Sequence, residues 1–355
     1  MRGAMAFKTI SKSVWTDRIL GGAADVAKVA EDVSIDVNRL KAFAFDISTK
    51  IPPLPKWDLP VFAEKPNKDT IDLMLLGNTI NFQYTDVRTK ERYFFEYKGK
   101  VWYGAMGMWA ALKNAFEQGV PILDGVYLST LTLEQAGKIF NKDSSMPMLE
   151  RRVEILNEVG KTLIDKYNGH FYNLVAESGA EIVKDNGTLS AKQGKLFNNG
   201  KGLLDKLLAD FPSFTDEAYY KGKKVVFSKR AQLGAAMLYE KFLGLGLELF
   251  TKSEMQQLTV FVNYELPKVL NGLGIIIYSE RLNRKVLNQI PLEYGSNMEV
   301  EIRAVTLHAI RMLKEEIEKV NPNSGVTYLH LDYMLWETGR NINSIPHHLC
   351  ETSAY

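Results

Sequence analysis

Four side chains near the C-terminus carry groups suited to binding a flat, nitrogen-rich ring. The run Leu331-Asp332-Tyr333-Met334-Leu335-Trp336-Glu337 places two acids, a phenol and an indole within two turns of a predicted helix. At helical spacing Tyr333 and Glu337 share one face, and Asp332 and Trp336 share another. Aromatic faces stack on a heterocyclic base, while carboxylates accept its ring N–H groups. The same pattern also fits an amphipathic helix that buries its apolar side chains and leaves its acids in solvent.

A pair of basic residues opens another predicted helix. Lys229 and Arg230 follow Phe227-Ser228 and precede an apolar run, which places them near the helix N-terminus. Two adjacent cations and the unpaired N–H groups of a helix start are suited to a phosphate group. Solvated surface charge is the other interpretation of this pair.

The segment Phe261–Pro267 joins two apolar stretches, and its proline predicts a bend in the chain. Bends between apolar segments often carry functional groups, and Asn263 lies at this one beside Tyr264. An amide offers a dipole but no charge, so it cannot act as a base. Asn263 is equally typical of a residue that forms a turn.

Composition and charge narrow the classes of function. The chain has 355 residues, of which 46% are hydrophobic and 24% are charged, enough to build a sizeable core. Lysine and arginine total 44 against 42 aspartates and glutamates. Because a broad nucleic-acid footprint needs an excess of basic residues, we expect no stable nucleic-acid partner.

The remaining bulk features point to a soluble, cytoplasmic protein. The one cysteine, Cys350, cannot form an internal disulfide, and no Cys/His set has the spacing of a zinc site. The first ten residues lack the apolar core of a signal peptide. The most apolar run, Leu273–Tyr278, is too short to span a bilayer, so no membrane partner is expected.

Helical periodicity dominates the chain. Capping residues and glycine stops predict five helices. Three of them are defined by their ends: residues 104–118, ended by Gly119 and Pro121; Met148–Asn168, with Pro147 in its first turn and Gly169 after it; and Tyr328–Thr338, with Gly339 beyond it. The other two follow capping pairs: a short helix from Thr132 and Gln135 to about Asn141, and a helix after Ser296 and Glu299.

The strand signal is local. Aromatic and β-branched residues predict strands at Ile80–Tyr84, Arg92–Tyr97 and Val101–Tyr103, which would form a small antiparallel sheet near residues 80–103. The proline-rich stretch Ile51–Lys68 predicts an extended crossing with Trp57, Val61 and Phe62 as its apolar anchors. We therefore expect a single, mainly α domain over residues 1–355. Its first 56 residues form a helical part and lead into the crossing.

Several motifs resemble the queuosine salvage protein family. They match in order and spacing over roughly Trp57 to Tyr355. The matching motifs are Asn78-Thr79-Ile80-Asn81-Phe82, Trp109-Ala110-Ala111-Leu112, Met146–Arg152, Phe214–Ala218, Lys229-Arg230-Ala231-Gln232, Phe261–Pro267, Glu299–Arg303 and Leu331-Asp332-Tyr333.

The resemblance implies an α-rich fold related to DNA glycosylases. It also implies cleavage of queuosine 5′-phosphate, or a related 7-deazaguanine nucleotide, to queuine and ribose 5-phosphate. The base would be salvaged for tRNA modification, the partner would be a small-molecule nucleotide, and no metal or other cofactor would be needed.

The resemblance also implies roles for individual residues. The positions matched to base contacts are Phe82, Asp332, Tyr333 and Glu337. Those matched to the segment beside the glycosidic bond are Val262, Asn263 and Tyr264, and Lys229 with Arg230 would bind the phosphate. Asn263 and Asp332 are the candidate catalytic residues.

Several departures from the family pattern bear on activity. Glu337 stands where the family usually has aspartate, and Leu349 and Glu351 stand where arginines are expected after Pro346-His347-His348. Asn263 stands where the family has a catalytic aspartate, and Leu59 stands where relatives often have a base-contacting histidine. Three hypotheses follow: hydrolysis with Asp332, Glu301 or another acid supplying the charge; binding of a deazapurine nucleotide without turnover; or an Asp-to-Asn exchange introduced to trap a substrate. A nucleic-acid glycosylase-like binder is a further alternative, which the near-neutral net charge disfavours.

Overall fold

The computed structural model describes residues 12–342 and 344–355, and helices dominate that part of the chain. The predicted mainly α class is confirmed. The helices are α1 (Lys12–Val29), α2 (Val37–Ile47), α3 (Lys68–Thr79), α4 (Ala105–Glu117), α5 (Gly125–Ser129), α6 (Leu133–Phe140), α7 (Leu149–Tyr167), α8 (Phe171–Glu177), α9 (Leu203–Asp210), α10 (Lys229–Gly244), α11 (Lys252–Met255), α12 (Glu265–Gly272), α13 (Glu280–Leu287), α14 (Asn297–Val320) and α15 (Tyr328–Asn341). A single 3₁₀ turn at Pro212–Phe214 follows α9.

The strands of the described residues pair two by two, and every pair is antiparallel. Their bounds are β1 (Val33–Ile35) with β8 (Ile276–Tyr278), β2 (Phe94–Tyr97) with β3 (Lys100–Tyr103), β4 (Glu181–Asp185) with β5 (Thr188–Lys192), and β6 (Glu217–Tyr220) with β7 (Lys223–Val226). The turn between β2 and β3 lies at Lys98-Gly99. Both residues have positive φ, of 50° and 71°, as a two-residue hairpin turn requires.

One hydrophobic cluster extends from Trp15 on α1 to Leu335 on α15. The longest helix in the described part of the chain, α14, packs against α1, α2, α12 and α15 and buries Val300, Leu307 and Ile310. The proline-rich crossing is anchored as predicted, because Trp57, Val61 and Phe62 are all buried. No helix among the described residues combines the length and the apolar composition needed to cross a membrane.

Capping residues and glycine stops predicted several helices correctly. The predicted helix at 104–118 is α4, and the capping box of Thr132 with Gln135 opens α6 as expected. The long predicted helix is α7, which starts one residue later than predicted because Met148 adopts a left-handed conformation with φ of 52°.

Two helix-end predictions are wrong. Ser296 makes no side-chain cap; instead the carboxylate of Glu299 accepts the N–H of Gly295 at 3.1 Å. Gly339 does not end α15, which continues to Asn341. A Cβ on Gly339 would lie 2.9 Å from Cβ of Glu265 on α12, so the glycine lets the two helices approach closely.

The predicted strand at Ile80–Tyr84 is also wrong. Ile80 ends α3, and residues 81–84 run as irregular chain, with a single bridge from Thr85 to Arg92 beyond them. Side chains bind the carbonyls of residues 81–83: Lys229 Nζ donates to Asn81 O at 2.9 Å, and Arg152 Nη2 donates to Phe82 O and, at 2.8 Å, to Gln83 O. The rest of the predicted sheet is confirmed as the β2–β3 hairpin.

The contact between Gly77 on α3 and Trp109 on α4 gives a test of the packing. A Cβ on Gly77 would overlap the indole ring of Trp109. We expect Gly77→Ala to reduce the free energy of unfolding by about 1–3 kcal/mol, because the ring has to move within a filled core. Urea titration followed by tryptophan fluorescence measures the loss.

The matched control is Gly137→Ala in α6, where a Cβ meets no atom within 4 Å. This exchange should be neutral or should stabilise the protein by roughly 0.5–1 kcal/mol, since alanine restricts the unfolded chain. Equal effects of the two exchanges would contradict the proposed overlap.

Candidate functional site

A cavity that is partly open to solvent lies between α4, α10 and α15. Its charged lining residues are Lys229, Glu240, Glu265 and Asp332. Most of the remaining wall is aromatic and comes from distant parts of the chain: Trp57, Phe82, Tyr84, Trp109, Phe261, Tyr264, Tyr333, Trp336 and Tyr355. Such a lining suits a flat heterocycle that stacks on rings and hydrogen-bonds at its edge.

The α15 face brings together most of the predicted C-terminal cluster. Leu329, Asp332, Tyr333 and Trp336 are spaced i, i+3, i+4 and i+7, so they share one face, and all four line the cavity. Glu337 lies outside the lining: it is exposed, and Tyr333 Oη donates to its Oε1 at 3.5 Å. The base contact of Glu337 stays a prediction, and the structure places this side chain outside the cavity lining.

Asp332 is a buried carboxyl whose two oxygens differ in their surroundings. Oδ1 accepts the N–H of Phe261 at 2.7 Å, whereas Oδ2 has no hydrogen-bond partner among the described residues. Burial raises the pKa of Asp332 to about 7, against the lowering effects of the Phe261 N–H and the charge of Lys229. Near neutral pH this group can therefore either donate or accept a proton at its cavity-facing oxygen.

Lys229 lines the cavity and Arg230 does not. The Lys229 ammonium is buried and donates to Asn81 O at 2.9 Å, and burial, followed by the charge of Arg230, lowers its pKa to about 7. The Arg230 guanidinium points into the core, where it donates to the carbonyls of Thr79 and Ser213. Of the two predicted phosphate-binding residues, only Lys229 has access to a ligand in the cavity.

Glu240 is a second buried carboxyl in the lining. Its Oε2 accepts the indole N–H of Trp57 at 2.7 Å. Burial raises the pKa of Glu240 well above its usual value, and the nearby charge of Asp332 adds to this effect. Two carboxyls that resist ionisation next to each other are typical of sites that move protons or bind neutral polar groups.

Asn263 lies in the lining just before α12. Its Oδ1 accepts the N–H of Glu265 at 2.7 Å and so caps the start of that helix. Tyr264 lines the cavity too, and its ring stacks on His347 with 4.3 Å between the ring centres. Val262 is buried outside the lining. Asn263 therefore serves as a turn former and also faces the cavity.

Glu301, one of the acids considered as a substitute for the missing charge, is committed to the fold. Its Oε2 accepts the N–H groups of Glu31, Asp32 and Val33 at 2.6–3.1 Å, and its Oε1 accepts Tyr220 Oη at 2.7 Å. Leu59 is partly exposed and does not line the cavity.

Several lining residues escaped the sequence analysis. Trp57 was identified only as an apolar anchor, and Glu240, Glu265 and Tyr355 were not identified at all. Glu240 had a usable signal: it follows Lys229, Leu233 and Met237 at helical spacing, which defines the cavity face of α10. Among the residues that the structure describes, no three His, Cys, Asp or Glu side chains are grouped to hold a metal ion.

Comparisons with known proteins agree on one family. The family model described as queuosine salvage protein matches residues 61–355. A queuosine 5′-phosphate N-glycosylase/hydrolase from Sphaerobacter thermophilus is 29% identical over 332 residues, which cover 93% of this chain and 95% of that protein. A protein of the same name from Mus musculus is 32% identical over 286 residues, which cover 78% of this chain and 79% of that protein. Another from Dictyostelium discoideum is 33% identical over 246 residues, which cover 69% of each chain.

The raised pKa of Asp332 predicts how stability depends on pH. The carboxyl has a pKa of about 7 in the folded protein and about 3.9 in an unfolded chain. The stability that it contributes is therefore present at acidic pH and is lost as the pH rises through about 7. Asp332→Asn keeps an oxygen for the Phe261 N–H and removes this dependence.

We expect Asp332→Asn to gain roughly 2–3 kcal/mol relative to the native protein between about pH 5 and about pH 8. Urea unfolding at the two pH values measures the difference. The exposed Asp46 provides a control, since Asp46→Asn should follow the native protein at both pH values. Parallel pH profiles for native protein and Asp332→Asn would contradict the assignment of a proton to this carboxyl.

Proposed function

The chain belongs to the queuosine salvage protein family, and we propose that it hydrolyses the N-glycosidic bond of queuosine 5′-phosphate to release queuine and ribose 5-phosphate. The observation that carries the proposal is the cavity-facing carboxyl of Asp332, which lies in an aromatic cavity with a pKa of about 7. We propose that the released base is salvaged, in keeping with the family's description as queuosine salvage protein.

The reaction breaks the bond between C1′ of the ribose and a ring nitrogen of the base, and the oxygen of water takes the place of that nitrogen. Positive charge develops at C1′, while the departing base gains electron density and needs a proton or hydrogen bonds. In the proposed complex the base stacks between aromatic residues of the lining, among them Phe82 and Tyr333. Asp332 Oδ2 then hydrogen-bonds to its edge and assists departure.

The side of the cavity formed by residues 263–265 is the proposed place of C1′. Asn263 presents a dipole without a charge there. Glu265, two residues later, lines the cavity with a carboxylate that Lys268 holds at 3.1 Å and Arg92 approaches to 4.0 Å. We propose that Glu265 supplies the negative charge nearest to Asn263.

A carboxylate at position 263 tests the proposal directly. Aspartate can keep the cap on the Glu265 N–H, because its oxygen accepts the same hydrogen bond. It would add a charge able to stabilise the developing cation and to activate water, an effect of typically ~10²–10⁴ in rate. We expect slow release of queuine by the native chain and faster release, within that range, by Asn263→Asp.

Mass spectrometry of free queuine after incubation with queuosine 5′-phosphate measures both rates. Asn263→Ala is the control, because it lacks both the cap and the charge. Release by Asn263→Asp but not by the native chain would overturn native catalysis and identify a nucleotide-binding relative with an impaired site. Release by neither, with no binding of the nucleotide in calorimetry, would overturn the proposed function altogether.

A further inference from the structure

Two arginines lie just beyond the cavity lining, on the side of Glu265 and Trp336. Arg92 precedes β2, and its Nη2 is 4.0 Å from Oε1 of Glu265. Arg340 is in the last turn of α15, and its guanidinium carbon is 4.7 Å from the centre of the Trp336 ring. Gly339 packs against Glu265, which brings Arg340 to the same corner as Arg92.

Apart from the ion pair of Arg92 with Glu265 and the contact of Arg340 with the Trp336 ring, neither guanidinium is held by the protein in the described part of the chain. Over residues 12–342 and 344–355, no hydrogen bond joins the side chain of Arg92 or Arg340 to a protein acceptor within bonding distance. The buried arginines are different: Arg152 and Arg230 each donate to main-chain carbonyls, and Arg303 donates to Asp216. Arg92 is about one-third exposed and Arg340 is half-buried, so both keep donors for a ligand.

The charges at this corner do not cancel. The cations are Arg92, Lys268 and Arg340, and the carboxylates that face them are Glu265 and Glu337. Burial first, and then the nearby charge of Arg92, lowers the pKa of Arg340. Three cations against two carboxylates leave an excess of positive charge at this corner, which favours the binding of an anion there.

The start of α4 adds donors on the same side. The guanidinium of Arg92 lies against Gly104, at 3.2 Å from the position that a Cβ would take, and Gly104 offers no side-chain cap to the helix. The next two residues, Ala105 and Met106, line the cavity. The first N–H groups of a helix have no partner within it and favour an anion in front of them.

We propose that Arg92 and Arg340 form the subsite for the phosphate monoester of the nucleotide, with the start of α4 in support. This inference rests on the proposed function for its substrate. A phosphate monoester carries about −1.5 to −2 charges near neutral pH. Lys229 alone matches little of that, since its ammonium is buried and bonded to Asn81 O, and Arg230 is turned into the core. Guanidinium groups bind phosphate in a bidentate manner, which fixes the nucleotide at its sugar end.

The test compares ligands that differ only in the phosphate. Calorimetry measures the affinity for queuosine 5′-phosphate and for queuosine in the native protein, Arg92→Gln, Arg340→Gln and the double variant. We expect each single exchange to weaken nucleotide binding about 10-fold or more, because a charge-assisted hydrogen bond is lost. Nucleoside binding should stay within about 2-fold of native, because queuosine has no phosphate for the arginines to contact.

Matched variants separate recognition from general damage. Arg340→Lys should recover part of the nucleotide affinity. Arg284→Gln, which removes an exposed arginine bonded to Glu280 outside the cavity, should change neither ligand's affinity. Unchanged nucleotide affinity in the double variant would overturn the inference, as would an equal loss for nucleotide and nucleoside.

Parallel assays keep this inference apart from the proposed function. If the native chain releases queuine and the double variant keeps its affinity for the nucleotide, the phosphate subsite is wrong and the hydrolase stands. If the double variant loses affinity for ribose 5-phosphate while neither the native chain nor Asn263→Asp releases queuine, the subsite stands and the hydrolase is wrong.

Discussion

Buried cations that bind main-chain carbonyls hold one wall of the cavity in place. Residues 79–83 leave α3 and cross the core without a partner strand, and their carbonyls would be costly to bury unpaired. Arg230 binds Thr79 O, Lys229 binds Asn81 O, and Arg152 binds both Phe82 O and Gln83 O. The Arg152 guanidinium also lies 4.1 Å from the Phe82 ring centre. These contacts fix the Phe82 ring in the lining of the cavity, and they explain why adjacent lysine and arginine open α10.

The start of α10 is fixed in turn by a buried ion pair. Asp216 receives two hydrogen bonds from Arg303 on α14, at 2.7 and 2.8 Å, and its Oδ2 also accepts the N–H of Lys229. The Arg303 guanidinium lies between the rings of Phe227 and Tyr355, at 3.9 and 4.4 Å. Because losing one partner would strand a buried charge, at a cost of about 3–5 kcal/mol, the pair ties α14, α10 and the lining residue Tyr355 into one unit.

Local signals predicted the helices and part of the site. Gly119 and the pair Thr132 and Gln135 mark helix ends through backbone geometry that neighbours in sequence decide, and the α15 face follows from helical spacing. Residues 80–84 were wrongly predicted as a strand because they are rich in aromatic and β-branched residues. This composition does not reveal whether a neighbouring strand or buried cations will bind the main-chain carbonyls. The β4–β5 hairpin went unnoticed because most of its side chains are exposed. Trp57 and Glu240 form a hydrogen bond although 183 positions separate them in the sequence, and local sequence patterns do not predict such a contact.

Residue 263 bears on the shape of the cavity through its hydrogen bond and on the proposed reaction through its charge. Its oxygen caps α12 through the Glu265 N–H, and aspartate or asparagine can do so equally. The shape of the cavity therefore does not depend on the charge at this position. Burial raises the pKa values of Glu240 and Asp332, and a carboxylate at position 263 would be the fourth in the lining, after Glu240, Glu265 and Asp332, and would add repulsion among them. The amide lowers that repulsion and leaves Glu265, held by Lys268, as the charge beside it. The fold thus keeps the shape of the cavity with either residue at position 263, while the chemical step that we propose relies on Asp332, whose ionisation burial disfavours.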